Sequence, residues 1–446
     1  MELRVAALEA QLAKAQKNST NSSKPPSSDI TKSPRARSAK KGKLRRGGQP
    51  GHPRHERPPF QPDEIDRQVD YHLSHCPDCG GQTTPLDLPP RVVQQAEIVT
   101  SPLEISEHRG QACFCAHCQK THYAEIPAPV RQAGLIGPRL TARVAFLKGG
   151  CHCSFSTIRK FLRDVVGLTV SRAHLRNVCA KVADGLHTAY DQLLAAVRQQ
   201  ATLNVDETGH KEYAQRLWTW CFRAATFTLF KIDPSRSSQV LLDVLGQEFQ
   251  GVLGCDYFSA YRKYMGDCDV LVQFCLAHLL RDIRFLAEHP NARNRTYGQR
   301  LLEATRQLFH VIHHRDEYTS ANFQIELQNA GDELWAQAVH RVPGTKEARN
   351  LARRFEQHGE SYLRFITTPG VEPTNNLAEQ AVRFVVIDRL VTQGSRSEAG
   401  RRWLERTWSM MASCAQQGKS AFQFLAETVQ AHFAGQPTPS LLPDTS

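Results

Sequence analysis

The chain has 446 residues, a formal charge of +12 and 13 cysteines. That length allows two or three domains and a sizeable core, and the excess of Lys and Arg suits a polyanionic partner, either nucleic acid or an anionic membrane surface. No apolar run reaches the roughly 18–20 residues that a membrane span needs, and the odd cysteine count argues against a disulfide framework.

Glu2, Arg4 and Glu9 interrupt the N-terminus within an amphipathic pattern, unlike a signal peptide, so a soluble cytoplasmic protein is expected. Residues 1–17 read as a short helix with Val5, Leu8, Leu12 and Ala15 on a coiled-coil rhythm. The spacing leaves open a dimerising zipper and a plain amphipathic helix. Residues 18–62 read as a disordered basic linker, with ten Lys/Arg against one acid between Lys32 and Arg57. Lys40, Lys41, Arg45 and Arg46 lie in it, either as part of a solvated tether or as an arm on DNA phosphates.

Residues 63–130 carry two C-x-x-C knuckles: Cys76 and Cys79 in "HCPDCGG", and Cys115 and Cys118 in "CFCAHCQKTH". Each knuckle lets two thiolates grip one side of a tetrahedral Zn²⁺, and four thiolates fill its shell. A structural zinc module is therefore expected, with its folding energy drawn from the metal. Residues 131–200 read as helices. In "FSTIRKFLRDVVGLTVSRAHLRNVCAKVADGL" a turn at Gly167 and a cap at Ser171 divide two of them. A helix-turn-helix and an ordinary helical hairpin both fit.

From residue 201 the pattern changes to "ATLNVDETGH", "RLWTWCFRAA" and "FTLFKIDP", three β-rich runs separated by turns. A helix capped at Ser237 or Ser238, a strand ending at Asp256, and a strand running into the helix of "CLAHLLRD" follow, describing a mixed α/β sheet. Residues 287–370 read as helical, 371–435 return to the core, and 436–446 form a tail. In "VEPTNNLAEQAVRFVVIDRL" a turn at Pro373 leads into a helix that Asn375 and Asn376 can cap.

Asp206 and Asp256 end β-runs, and Glu379 sits in the first turns of that last helix. Strand-end acids gather at one edge of an α/β sheet, and three acids can hold two hard cations about 4 Å apart on a phosphodiester. Spacing alone does not separate this from ordinary turn acids. Alternation along the strand sends Glu207 to the face opposite Asp206. Cys275 and His278 form a lone pair that cannot complete a zinc site; packing that positions the neighbouring helices competes with a ligand or DNA role.

The segments "VDETGHKEYAQRLWTWCFRA", "GVLGCDYFSAYRKYM", "FCLAHLLRDIRFLAE" and "VEPTNNLAEQAVRFVVIDR", in this order, resemble the DDE transposases of the insertion-sequence-66 family, TnpC type. The N-terminal "LEAQLAKAQKNSTNSSKPPSSD", the linker "RRGGQPGHPRH" and the double knuckle match that family's layout, so the likeness covers nearly the whole chain. It implies an RNase H-like core, split as 201–286 and 371–435 by a helical insertion at 287–370. It also implies Asp206, Asp256 and Glu379 as the catalytic acids holding two Mg²⁺ (or Mn²⁺).

The implied activity is cleavage of element ends followed by strand transfer into target DNA. The implied partners are double-stranded DNA, a second copy of the chain and accessory proteins of the same element, in a bacterial cytoplasm. Arg383 and Arg389 follow Glu379 as candidate phosphate contacts, or as a solvated basic face. Two departures, "DETG" for the relatives' "DETP" and Phe384 for their Pro, leave the acids intact but put further DNA contacts in doubt. A non-catalytic zinc-ribbon DNA-binding protein, an inactive relic and a structure-specific nuclease are the rival readings.

Overall fold

The computed structural model describes residues 58–70, 75, 78–80, 82, 92–96, 102–115 and 117–443, together with residues 8, 11 and 12. Residues 8, 11 and 12 are helical; the rest of the expected N-terminal helix lies outside the described residues, as do Lys40, Lys41, Arg45, Arg46 and Cys76. The chain divides into two compact units, one of residues 32–105 and one holding everything from residue 106 onward. Within the smaller unit Gln94 brackets Phe60, accepting from its N–H at 2.6 Å and donating to its carbonyl at 3.0 Å. His75 and Gln82 form an isolated antiparallel bridge around the first knuckle.

The larger unit opens with a hairpin, β1 (Ala112–Cys115) and β2 (Lys120–Tyr123). Helices α1 (Ala128–Ala133), α2 (Pro138–Gly149) and α3 (Phe155–Phe161) follow. A π-turn over Leu162–Val166 ends at Gly167, which takes φ 82°, a conformation that costs glycine nothing. Ser171 then caps α4 (Arg172–Gly185) by accepting from the His174 N–H at 3.1 Å. Helix α5 spans His187–Ala196.

The central sheet has the order β5-β4-β3-β6-β7. Strands β3 (Thr202–Glu212), β4 (Gln215–Arg223) and β5 (Thr228–Asp233) form an antiparallel meander. The first hairpin closes through two residues, with Tyr213 at φ 51°. Helix α6 (Ser238–Leu245), capped by Ser237, leads to β6 (Val252–Cys255), which pairs in parallel with β3. Helix α7 (Ser259–Cys268) then leads to β7 (Val272–Phe274). Every residue of β6 and β7 is buried, as parallel strands covered on both faces require.

Helix α8 (Leu276–Ala287) is followed by the long α9 (Ala292–His313), α10 (Ser320–Val339) and α11 (Lys346–Thr367), which is kinked at His358. Buried Gln273 of β7 ties this helical block to the sheet. Its amide donates to the Tyr362 carbonyl at 2.9 Å and accepts from the Phe365 N–H at 2.8 Å. The chain then returns as α12 (Asn376–Thr392), α13 (Glu398–Gln416) and α14 (Ala421–Ala434).

Helix α13 covers the edge strand β5. Ser413, Ser409 and Glu405 accept the outward N–H groups of Thr228, Phe230 and Ile232 at 3.1, 2.8 and 2.7 Å. Four helical residues rise about 6 Å and two strand residues about 6.8 Å, so acceptors every fourth residue meet donors every second one. An edge that presents unpaired donors is thereby closed. No helix among the described residues is long and apolar enough to cross a membrane.

Candidate functional site

Asp206 lies on the central strand. The parallel register of β3 with β6 ends at Asn204↔Gly254, two residues before Asp206 on one strand and Asp256 on the other. Adjacent strands lie about 4.8 Å apart, so the two carboxylates emerge side by side where the strands part. Gly254 permits this approach, since a Cβ there would overlap Asn204 Oδ1. Asp206 accepts from the Glu207 N–H at 2.9 Å and Asp256 from the Phe258 N–H at 2.8 Å, which fixes both side chains.

Glu379 enters from the first turn of α12. The start of that helix is held from two sides. The Asn375 side chain donates to the Val205 carbonyl at 2.7 Å, and its backbone N–H donates to the Cys275 sulfur at 3.1 Å. Beside it, the Leu276 N–H donates to the Pro373 carbonyl at 2.9 Å. The expected capping by the two asparagines is therefore not what the structure contains. Asn375 occupies the cap position, but its side chain bonds the sheet instead of the helix's own amides.

The three acids sense one another. Burial pushes the Asp206 carboxyl well above its usual range, and the negative charges of Glu207, Asp256 and Glu379 push it further. Burial also raises Asp256, against the pull of His278, the Phe258 amide and Arg236, while Glu379 adds to the rise. Glu379 is flanked by two residues of α8: His278, with Nδ1 at 3.5 Å, and the Arg281 guanidinium, with Nη2 at 3.7 Å.

Glu207 has its own partners. Arg236 donates to it at 2.9 and 2.6 Å, and the Tyr261 hydroxyl donates as well. Burial first, then Asp256, raises its carboxyl to about 6 against those stabilising contacts. Arg236 is itself stacked on Trp218 and Phe258, 4.4 and 4.0 Å from the ring centres. Next to Asp256 opens a cavity of about 250 Å³ lined by Arg236, Tyr257, His278, Arg354 and Tyr362 among others.

The arginines after Glu379 differ. Arg383 is exposed. Arg389 is half-buried and donates to Thr208 Oγ1 on β3 at 3.2 Å. In the cysteine region, each knuckle's second cysteine precedes a left-handed residue, Gly80 at φ 75° after Cys79 and Gln119 at φ 54° after Cys118. Cys118 Sγ lies 3.5 Å from His122 Nε2. The Cys115 side chain, like Cys76, is outside the described residues.

Sequence reasoning passed over Asn375 as an anchor and Arg281 as a partner of Glu379. An asparagine between a proline and an acid-bearing turn was the available signal for the first. For Arg281, the signal was its place one turn after His278.

Residues 133–402 match the IS66 transposase family, and residues 1–58 match a family of unknown function, DUF6444. The chain is similar to two uncharacterized proteins of Sinorhizobium fredii (strain NBRC 101917 / NGR234), y4qI at 23% identity over 343 residues and y4hP at 24% over 366. These alignments take in 70% and 74% of this chain but 63% and 65% of the relatives, so the chain spans just under two-thirds of the length of either. The family match runs over well over half of the chain and contains Asp206, Asp256, Cys275, Asn375 and Glu379; the chain belongs to the IS66 transposase family.

Proposed function

We propose that this chain is a DNA transposase that cuts and joins phosphodiester bonds at the ends of an insertion element, with Asp206, Asp256 and Glu379 as ligands of two hard divalent cations, Mg²⁺ or Mn²⁺. The observation that carries this reading is the convergence of three carboxylates from separate elements into one mutually repelling group. Such a group fits oxygen-seeking cations. The buried Glu379 Oε1 accepts no hydrogen bond among the described residues; its near neighbour is His278 Nδ1 at 3.5 Å, which a cation could replace. Ions bound there would supply activation of the attacking oxygen and stabilisation of the leaving one.

The chain's own residues fix the arrangement. Asn375 sets the depth of Glu379 against β3, while Arg281 balances its charge and, with His278 beside it, stands ready to meet a phosphate. An RNase H-like core is part of the proposal. Its support is the sheet order, an antiparallel meander extended by two parallel strands, with the first acid on the central strand.

Structural zinc on Cys76, Cys79, Cys115 and Cys118 belongs to the same reading. The left-handed turn after the second cysteine of each knuckle supports it. The proposed partners are element ends and target DNA, gripped in part by the linker with Lys40, Lys41, Arg45 and Arg46. Work on two ends calls for at least a dimer, and accessory proteins of the element fit the same scheme.

The test is cleavage in Mg²⁺ of DNA carrying the repeats that flank the gene. The wild-type chain cuts at the repeat ends, and Asp206→Asn binds them without cutting. Equal cutting by both removes the acid trio from the chemistry. Supplying pre-cleaved ends separates a transposase, which joins them to a target, from a nuclease, which does not.

A further inference from the structure

The residues around Glu379 include more than hard oxygen ligands. A sulfur of Cys275, a ring nitrogen of His278 and a carboxylate oxygen of Glu379 all lie within 4.8 Å of one another. Cys275 is 2% exposed and sits at the cap position of α8. Its sulfur accepts from the Asn375 backbone N–H at 3.1 Å, and the Ala277 and His278 amides also bond it. Burial holds the Cys275 thiol above its usual range and these amides oppose that only in part, so a bound cation would have to displace the proton. On the facing side, His278 Nδ1 and Glu379 Oε1 are both shielded from solvent, stand 3.5 Å from each other, and make no hydrogen bond. One thiol, one imidazole and one carboxylate, with two ligand atoms left unsatisfied, form a donor set for a borderline-soft ion and not for Mg²⁺.

The spacing also fits. Zinc bonds of about 2.0–2.3 Å set neighbouring donors roughly 3–4 Å apart, so a modest closing of the three side chains suffices. Asp256 lines the same cavity as Cys275 and His278, so it or water can fill the fourth position. Arg281 now supplies the positive charge, with Nη1 3.3 Å from His278 Nε2 and Nη2 3.7 Å from Glu379. It must swing away when a cation enters, because His278 then carries its proton on Nε2.

We propose that Cys275, His278 and Glu379 form a regulatory Zn²⁺ site that draws Glu379 away from the hard-cation site and so holds the chain inactive. The metal binding stands on these three side chains alone; only its inhibitory consequence rests on the transposase reading above.

The experiment uses the full chain with its knuckles already loaded with zinc. Further Zn²⁺ is titrated into the wild type, Cys275→Ser and His278→Gln, and bound metal per chain is counted. The serine keeps an acceptor for the Asn375 amide, so it guards against a loss caused by misfolding. The wild type is expected to take up one ion more than either variant. With Co²⁺ as probe it should gain a sulfur-to-metal charge-transfer band that Cys275→Ser lacks.

Zinc inhibition of Mg²⁺-supported cleavage, measured relative to each variant's own rate, should weaken roughly ten-fold or more in both variants, the scale on which losing even a supporting group weakens a metal site. Equal stoichiometry and equal cobalt spectra in wild type and Cys275→Ser would overturn the site. A chain that binds the extra ion yet cuts no DNA upholds the site and removes the transposase chemistry instead.

Discussion

The side chain of Asn375 reaches across 170 positions of sequence to donate to the carbonyl of Val205, the residue before Asp206. One hydrogen bond of 2.7 Å therefore couples the strand that carries the first acid to the helix that carries the third. Replacing Asn375 by Ala leaves that buried carbonyl unmet, at a cost of about 1–3 kcal/mol. The chain retains its fold, because α12 still packs along β3 and β4. Its Mg²⁺-dependent cleavage should nevertheless fall by far more than its stability does, since Glu379 loses its fixed depth. Asn375→Asp should be worse, turning a carboxylate toward a carbonyl. Cleavage rates alongside denaturant unfolding check this, and an Asn375→Ala chain that cuts at the wild-type rate removes the coupling.

The acids make a pH-dependent claim on stability. Glu207 titrates at about 6 in the folded chain against an ordinary 4.5, and Asp206 and Asp256 are displaced in the same direction. Each of these carboxyls holds its proton more tightly folded than unfolded. The folded state therefore carries more protons, and stability falls as pH rises from 4.5 through about 6. The Glu207 shift alone corresponds to about 2 kcal/mol. A divalent cation at the acids offsets the repulsion only once they are ionised. Thermal melting should therefore show Mg²⁺ stabilising the chain near neutrality and hardly at all at about pH 5. Asp206→Asn, relieved of a buried charge, should melt higher than wild type without metal and respond less to Mg²⁺. Equal Mg²⁺ stabilisation at both pH values would count against the acids as its ligands.

Much of this arrangement is legible in the sequence because its signals are local. The alternation in "TLNVD" and the β-branched runs that follow mark the strands, and Ser171 and Ser237 mark helix starts by capping chemistry that acts within three residues. The three acids stand out through motifs that span only a few residues each. What stayed hidden depends on partners far away in the chain. The anchoring of Asn375, the pairing of Arg281 with Glu379 and the burial of Arg389 on β3 exist only once the sheet has formed. Sequence reasoning passed over helix α7 (Ser259–Cys268), which falls between the strand ending at Asp256 and β7; the aromatic residues of "YFSAYRKY" give no helical signal in isolation. Packing of Tyr261 against Trp220 and its bond to Glu207 make it a helix over the sheet.

The spacing of Glu405, Ser409 and Ser413 was equally silent until β5 lay beside it. Ser409 accepts the Phe230 N–H at 2.8 Å in a buried environment. Ser409→Ala strips that donor of its partner and should cost about 1–3 kcal/mol in denaturant unfolding. Ser409→Thr keeps an acceptor and should recover part of the loss. A neutral Ser409→Ala would mean that water reaches the strand edge and that α13 does not seal it.

The two arginines of α12 should behave differently toward DNA. Arg383 is exposed one turn beyond Glu379, so a phosphate can reach it beside the acids. Arg389 spends its guanidinium on Thr208 of β3, and burial lowers its pKa from the ordinary arginine value. Removing one phosphate contact reduces the slope of log affinity against log salt by about 1, whatever the DNA sequence. Arg383→Ala should therefore weaken binding to the repeats, flatten that slope and leave the melting temperature unchanged. Arg389→Ala should do the reverse, lowering stability through lost packing on β3 while the salt slope holds. Binding titrations across a salt series, paired with melting curves, separate the two. A flattened slope with intact stability in Arg389→Ala would place that guanidinium on DNA, detached from Thr208.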